Sequence, residues 1–428
     1  MTAYLPDDLS VFPDKTGATA YTKVSYPIRY GRYSEIRTPS HLFQFNLNGE
    51  IKFIQGRAAE WPDPSEWLKR TVSGDWVYYA TGGYTGVYDA IGEYYVPCFP
   101  YPSNRISTRN PFREPGVSEA PGAWESLRQK IESIPLCSSP GSLQSLLQRI
   151  TGNTASCLKA KADRIAEAIG GRPTVLPPDA RHVDYDLIPV TIADGCLYDC
   201  TFCSIKSGVA FTKRSRDDIR CQIDKLRALF SDDLVNYNSL FLGQHDALMA
   251  GADLIAFAAE AAFSCFEIER SLMRGANLFL FGSVDSFLNC GEAELGLLNR
   301  LPYHVYINIG LESADDRTLD IIGKRIDAKK VDKAFRKMLE VNRLYANIDI
   351  TVNFLFDDNL PRSHLDACFS MMNGCLQRPT TQGAVYFSPL FGPFGSGKEE
   401  SQRQLLSKFF KLRNRCRLPA YMYLIQRL

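Results

Sequence analysis

The sequence predicts an α/β chain: a partial (β/α)6 barrel of the TIM type, preceded by an aromatic-rich α+β domain. Three observations carry that prediction. From residue 188 onward, short apolar runs alternate with amphipathic stretches of helical period, the pattern of βα units on a parallel sheet. Before 188 the character differs, because residues 1–101 hold twelve of the 21 tyrosines and three of the four tryptophans. A dense run of cysteines directly follows the first apolar stretch, at the strand end where barrel active sites are built.

In chain order, the first element is a hairpin over 41–54, two alternating strands joined at Asn48-Gly49, a strong turn signal. The aromatic segment from Trp76 to Tyr84 is a place where a substrate surface could lie, although aromatics more often fill cores. Residues 102–122, rich in Pro, Ser and Gly, read as a linker, and 124–168 reads as mainly helical. Barrel strands are expected at 188–192, 239–242, 278–281, 305–310, 348–354 and 384–387. Helices are expected at 216–230, 252–263, 292–299, 328–344 and 363–376. The resulting division is 1–122 as the N-terminal β-containing domain and linker, 123–180 as a helical connection, 181–395 as the barrel and 396–428 as a C-terminal helical tail, its helix at 399–415.

Bulk properties narrow the function classes. A net charge of +1 over 428 residues, with no Lys/Arg run, weighs against nucleic acid as a partner. No apolar stretch reaches the ~18 residues that a membrane span needs, and the first residues lack a basic and apolar signal, so the cytoplasm is the expected compartment. There the nine cysteines outside the motif are expected as thiols. A second cluster at Cys368, Cys375 and Cys416 is not expected, because those residues are not densely grouped. The string Gly395-Ser396-Gly397-Lys398 lacks the spacing of a phosphate loop, and the glycine-rich stretch 391–397 is expected to be a flexible loop able to close the barrel mouth.

The chemistry concentrates in Cys196-Leu197-Tyr198-Asp199-Cys200-Thr201-Phe202-Cys203, a C-x-x-x-C-x-x-C run. Three thiolates so close, with no fourth at ferredoxin spacing, can hold three corners of a [4Fe–4S] cluster and leave one iron open to a substrate or cofactor. A zinc site would show four ligands, usually in two pairs, and no second pair lies nearby. A purely electron-transferring cluster would want a fourth local cysteine, and Cys221 and Cys265 are distant.

This spacing, with an aromatic before the last cysteine, resembles the signature of the radical S-adenosylmethionine (radical SAM) enzymes. The resemblance implies that Cys196, Cys200 and Cys203 ligate the cluster and that Phe202 packs near the adenine. It also implies that the methionine part of the cofactor chelates the open iron, and that an electron cleaves the sulfonium to a 5′-deoxyadenosyl radical. After the second strand, Gly243-Gln244-His245-Asp246 stands where such enzymes carry a Gly-Gly-Glu type motif. Only Gly243 matches, and Asp246 is the acidic acceptor available for an ammonium group. His245 can move a proton, bind substrate or simply pack. Ser283 and Asp285 end the third strand. On the fourth, alternation puts Tyr306, Asn308 and Gly310 on one face, with Glu312 pointing the same way if the alternation continues. The string Gly310-Leu311-Glu312-Ser313 resembles the fourth-strand motif of the branch that includes Elongator-type and anaerobic coproporphyrinogen oxidase proteins, which implies that Glu312 and Ser313 lie near the ribose or methionine part. Asn353 on the fifth strand is placed to face the lumen, where a ligand would satisfy it.

The expected protein is therefore an oxidoreductase-type radical SAM enzyme that abstracts hydrogen from a small molecule held between barrel and N-terminal domain. Its expected electron donor is reduced flavodoxin or ferredoxin. Radical modification of tRNA or peptide, and a non-catalytic iron–sulfur scaffold, are the alternatives.

Overall fold

The computed structural model describes residues 3–5, 8–21, 29–81, 86–100, 109–135, 141–203, 205, 210–375, 382–390, 400–424 and 427–428. The loop 391–397 and the string ending at Lys398, and part of the aromatic segment 76–84, lie outside them.

Seven strands form one parallel sheet in chain order: Ile188–Pro189, Ser239–Phe241, Asn277–Gly282, His304–Glu312, Ile348–Phe356, Val385–Pro389 and Ala420–Met422. Six were expected. The seventh comes from the segment read as a purely helical tail, which forms the helix Glu400–Arg413 and then pairs Ala420–Met422 with the sixth strand. Three residues are too few to show a strand period, so this pairing was invisible in sequence. The first strand, Ile188–Pro189, is shorter than 188–192, although Val190 just beyond it still donates to Phe241 O at 2.8 Å. The helices Arg216–Phe230, Ala252–Cys265, Glu292–Asn299, Ala328–Leu344 and Ser363–Cys375 fall where the apolar period put them.

The sheet's outer face is aliphatic, with Leu240, Leu278, Leu280, Ile307, Ile309, Ile350 and Val352 all buried in the main core with the helices. Its inner face carries Phe241, Phe279, Tyr306, Asn308, Thr351 and Asn353, and that lumen is not empty. The segment before the first strand enters it: Leu176, Ala180, Val183 and Leu187 cluster with Phe241 and Phe279, and His182 stacks on Tyr306 at 5.1 Å. Asp179 accepts from Thr351 Oγ1 at 2.6 Å and from Tyr386 OH at 2.7 Å.

Residues 3–98 contain an eight-stranded antiparallel meander, each strand paired with the next in sequence. The predicted hairpin is there, His41–Phe45 against Ile51–Gly56 with its turn at 46–50. Of the expected linker, residues 102–108 lie outside the described set, and the rest is packed rather than extended. Pro115–Ser118 and Ala120–Glu132 are helices with Pro in the first turn, and Val117 and Ala120 are fully buried.

The meander sits under the barrel, at the N-terminal ends of its strands. Asn236, just before the second strand, bonds both ways with the Arg32 backbone. Arg274, just before the third, donates its N–H to Thr19 O. Lys52 and Lys69 pair with Asp186, ahead of the first strand, at 3.2 and 2.9 Å. This corrects the expectation of a substrate between the two parts, because the cysteine loop is at the opposite end.

Asp349, two residues below Thr351 on the inner face, has its carboxyl pushed up to about 7 by burial and by the Asp179 charge. The folded chain thus holds a proton that the unfolded chain releases above pH 4, and stability falls as pH rises from 4 to 7. Asp349→Asn, which keeps the acceptor for Gly383 N–H, should stabilise by about 2 kcal/mol at pH 8. The gain should fade toward pH 4, as measured by thermal unfolding across that range.

Candidate functional site

The cysteine loop is built by its flanks. Ala193–Asp194 pairs antiparallel with Thr212–Lys213, so the chain leaves the barrel rim and returns to the same place. Asp194 and Arg214 close the neck with two bonds of 2.8 and 3.0 Å. Inside the loop, Thr201 N–H donates to Ile322 O at 2.9 Å. Gly323 beside it takes φ +69, a conformation that favours glycine, and a Cβ there would stand a tight 3.2 Å from Thr201 Cγ2. Tyr198 OH donates to Asp285 and accepts from its backbone N–H.

Cys196, Cys200 and Cys203 all line one cavity of about 400 Å³ at the C-terminal rim, together with Phe202. That volume is in the range of small-molecule sites. Burial pushes the thiols of Cys196 and Cys200 up to about 11. Among the described residues no group of three or more His, Cys, Asp or Glu is gathered closely enough to hold a metal ion.

The strand ends complete the wall. After the second strand, Gly243 turns at φ +93 and delivers Gln244, His245 and Asp246 to the cavity. Asp246 Oδ1 accepts from Ser286 Oγ at 2.7 Å and from Ser283 N at 3.1 Å. Among the described residues its Oδ2 is buried with no partner, as are His245 Nδ1 and Asn353 Oδ1. Burial pushes the Asp246 carboxyl up, while the serine hydroxyls oppose that. Gln244 is tied to Thr174 N at 2.7 Å.

On the fourth strand the register slips between Gly310 and Glu312, and Glu312 takes φ +67, a strained conformation for a residue with a side chain. Glu312 therefore reaches the cavity through a bulge, not by continuing the alternation. Lys324 Nζ stands 3.4 Å from Glu312 Oε1 and donates to Gly310 O at 2.5 Å. Burial pushes the Glu312 carboxyl up, and Lys324 pulls it back. A Cβ at Gly310 would lie 2.4 Å from Glu312 Oε1.

Of the residues singled out in sequence, the structure brings Cys196, Cys200, Cys203, Phe202, Gln244, His245, Asp246, Ser283, Glu312 and Asn353 around one space. Four stand outside it. Gly243 only shapes the turn. Asp285 faces Tyr198 and Lys330. Asn308 is fully buried below Asn353. Ser313 contacts His364 Nδ1 at 2.8 Å. Strand period gives the face of a residue but not its height above the sheet, so Asn308 and Asn353 could not be separated in advance. Sequence reasoning missed Lys324, Tyr198, Val175 and Phe281 in the lining. No spacing signal marks Lys324, which reaches the cavity only because its loop folds back on the fourth strand.

Lys324→Met removes the cation that pairs with Glu312 and should cost about 3 kcal/mol in denaturant unfolding. Adding Glu312→Gln to that variant should recover most of the loss.

Residues 190–358 match the family model of the radical SAM superfamily. No curated protein matches the chain. Among solved structures, a radical SAM methyltransferase from Sphaerobacter thermophilus aligns at TM-score 0.38 and 13% identity, over 56% of this chain and 66% of its own. The cobalamin-dependent S-adenosylmethionine radical enzyme OxsB with aqua-cobalamin bound aligns at 0.34 and 17%, over 53% and 30%. HydG, a maturase of the [FeFe]-hydrogenase, aligns at 0.36 and 11%, over 70% of each chain. The chain spans less than two-thirds of the length of the first two.

Proposed function

We propose that this chain, an enzyme whose residues 190–358 belong to the radical SAM superfamily, abstracts hydrogen from a small molecule bound at the cysteine-lined cavity. Enzymes of that superfamily bind a [4Fe–4S] cluster and S-adenosylmethionine, and the residues present suit both: three thiols on one cavity and, beside them, an unpartnered buried carboxylate oxygen. When bound, the pair supplies reductive cleavage of the sulfonium, with one electron from a reduced flavodoxin or ferredoxin, and so a means of taking hydrogen from an inert C–H bond.

The chain's own work is to hold, orient and exclude water. Cys196, Cys200 and Cys203 are the cluster ligands in this reading. Asp246, fixed by Ser283 and Ser286, presents Oδ2 to an ammonium group, and Phe202 offers an aromatic edge to a base. Lys324 pairs with Glu312, which leaves Asp246 as the carboxylate placed to meet a cationic group. The filled lumen beneath closes the floor to solvent from the far side. A small substrate is supported by the size of the cavity and by the balanced charge of the chain.

The observation that carries this reading is the convergence of the three cysteines and Asp246 on one space. Anaerobic reconstitution tests it: about four irons per chain and 5′-deoxyadenosine formed under dithionite are expected. Cys200→Ala should lose both, and full iron retention in that variant would refute the ligand assignment. Asp246→Asn should keep its iron and bind S-adenosylmethionine roughly 10- to 100-fold more weakly, measured by equilibrium dialysis.

A further inference from the structure

A line of hydrogen bonds runs from the cavity floor down into the lumen. Asn353 Nδ2 donates to Asn308 Oδ1 at 2.5 Å, Asn308 Nδ2 to Thr351 Oγ1 at 2.8 Å, and Thr351 Oγ1 to Asp179 Oδ2 at 2.6 Å. From the other side, Tyr386 OH donates to Asp179 Oδ1 at 2.7 Å and accepts from Arg181 Nε at 3.1 Å. Asp179, Asn308, Thr351 and Tyr386 are all buried.

Each link follows from the one before. A guanidinium only donates, so the Tyr386 proton must go to Asp179. Burial pushes the Asp179 carboxyl up, while the hydroxyls of Thr351 and Tyr386 and the charge of Arg181 oppose that; with both its oxygens placed to accept, one from Tyr386 and one from Thr351, the single Thr351 proton points at it as well. Thr351 then accepts from Asn308, whose amide is thereby turned with its oxygen toward Asn353. Asn353 must answer with its NH2, and its own oxygen is left over. That oxygen is buried without a partner among the described residues, on a side chain that lines the cavity.

We propose that Asp179, carried into the lumen by the segment before the first strand, sets the sense of this relay so that Asn353 reads a hydrogen-bond donor, O–H or N–H, on the ligand. With the opposite sense the floor would present an NH2 group and favour an acceptor. Asn353 is the contact residue, and Asp179 and Thr351 are positioning residues that never reach the cavity. The ligand half of this inference rests on the cavity being the S-adenosylmethionine site.

The test uses the reconstituted full chain and S-adenosylhomocysteine, with its 2′-deoxy, 3′-deoxy, 6-deamino and α-deamino counterparts, each lacking one donor. One deletion should weaken binding to the unmodified protein roughly 10- to 100-fold. Asn353→Ala should erase that penalty. Thr351→Val and Asp179→Asn should shrink it at least fivefold, and Thr351→Ser, which keeps the hydroxyl, should preserve it. Equal binding of all analogues by the unmodified protein, or an undiminished penalty in Thr351→Val, would overturn the proposal.

The relay is also measurable without ligand. In 15N-asparagine-labelled protein, exchange of the Asn353 side-chain amide protons should quicken at least tenfold in Thr351→Val and not in Thr351→Ser. No change would overturn the relay. Should exchange behave as expected while no form binds S-adenosylhomocysteine, the relay stands, and the cofactor reading of the cavity fails with the ligand half of the proposal.

Discussion

The two outermost strands of the parallel sheet, Ile188–Pro189 and Ala420–Met422, do not pair with each other, so the integrity of the barrel rests on what fills it. Residues 176–187 do that filling. Their apolar side chains pack against Phe241 and Phe279, and Asp179, one of their buried acids, ties the fifth strand to the sixth through Thr351 and Tyr386. Tyr423 just beyond the seventh strand donates to Leu176 O, which joins the open edge to the same segment. A half-closed sheet with a hollow centre would expose both its inner face and its unpaired edges; the plug removes the first liability and shields part of the second.

Closing the lumen also places the site. With the interior occupied and the antiparallel meander packed beneath, the cysteine-lined cavity lies at the C-terminal rim, where the cysteine loop emerges. The loop is held at its neck by Asp194 and Arg214 and at its inner side by Ile322, Gly323 and Asp285. Three separate parts of the rim thus brace one loop. Such over-determination is what thiol positioning requires, because a ligand set loose by an ångström loses its cluster geometry.

The electrostatics follow the same logic. Glu312 sits at a positive φ, in a bulge and under burial, three costs that would not persist at an idle position. Lys324 makes the arrangement tolerable by pairing with it and by bonding Gly310 O. Asp246 is handled differently: one oxygen is saturated by serines and a backbone N–H, and the other is left without a partner. Two carboxylates on one wall therefore present different chemistry, one neutralised and one available.

The barrel helices, most of the strands and the cysteine run were legible in the chain because each depends on local period or local spacing: 3.6 residues for a helix such as Ala328–Leu344, two for a strand such as His304–Glu312, and short gaps between thiols. What lay beyond local pattern was set by packing alone. The seventh strand is three residues long and exists only because the sixth offers it an edge. The meander's place under the barrel depends on Lys52, Lys69 and Arg32 meeting partners more than a hundred residues away in the chain. Lys324 and Tyr198 join the cavity, and Asn308 and Ser313 leave it, because height along a strand and the folding back of a loop are properties of three dimensions that no periodicity in one can carry.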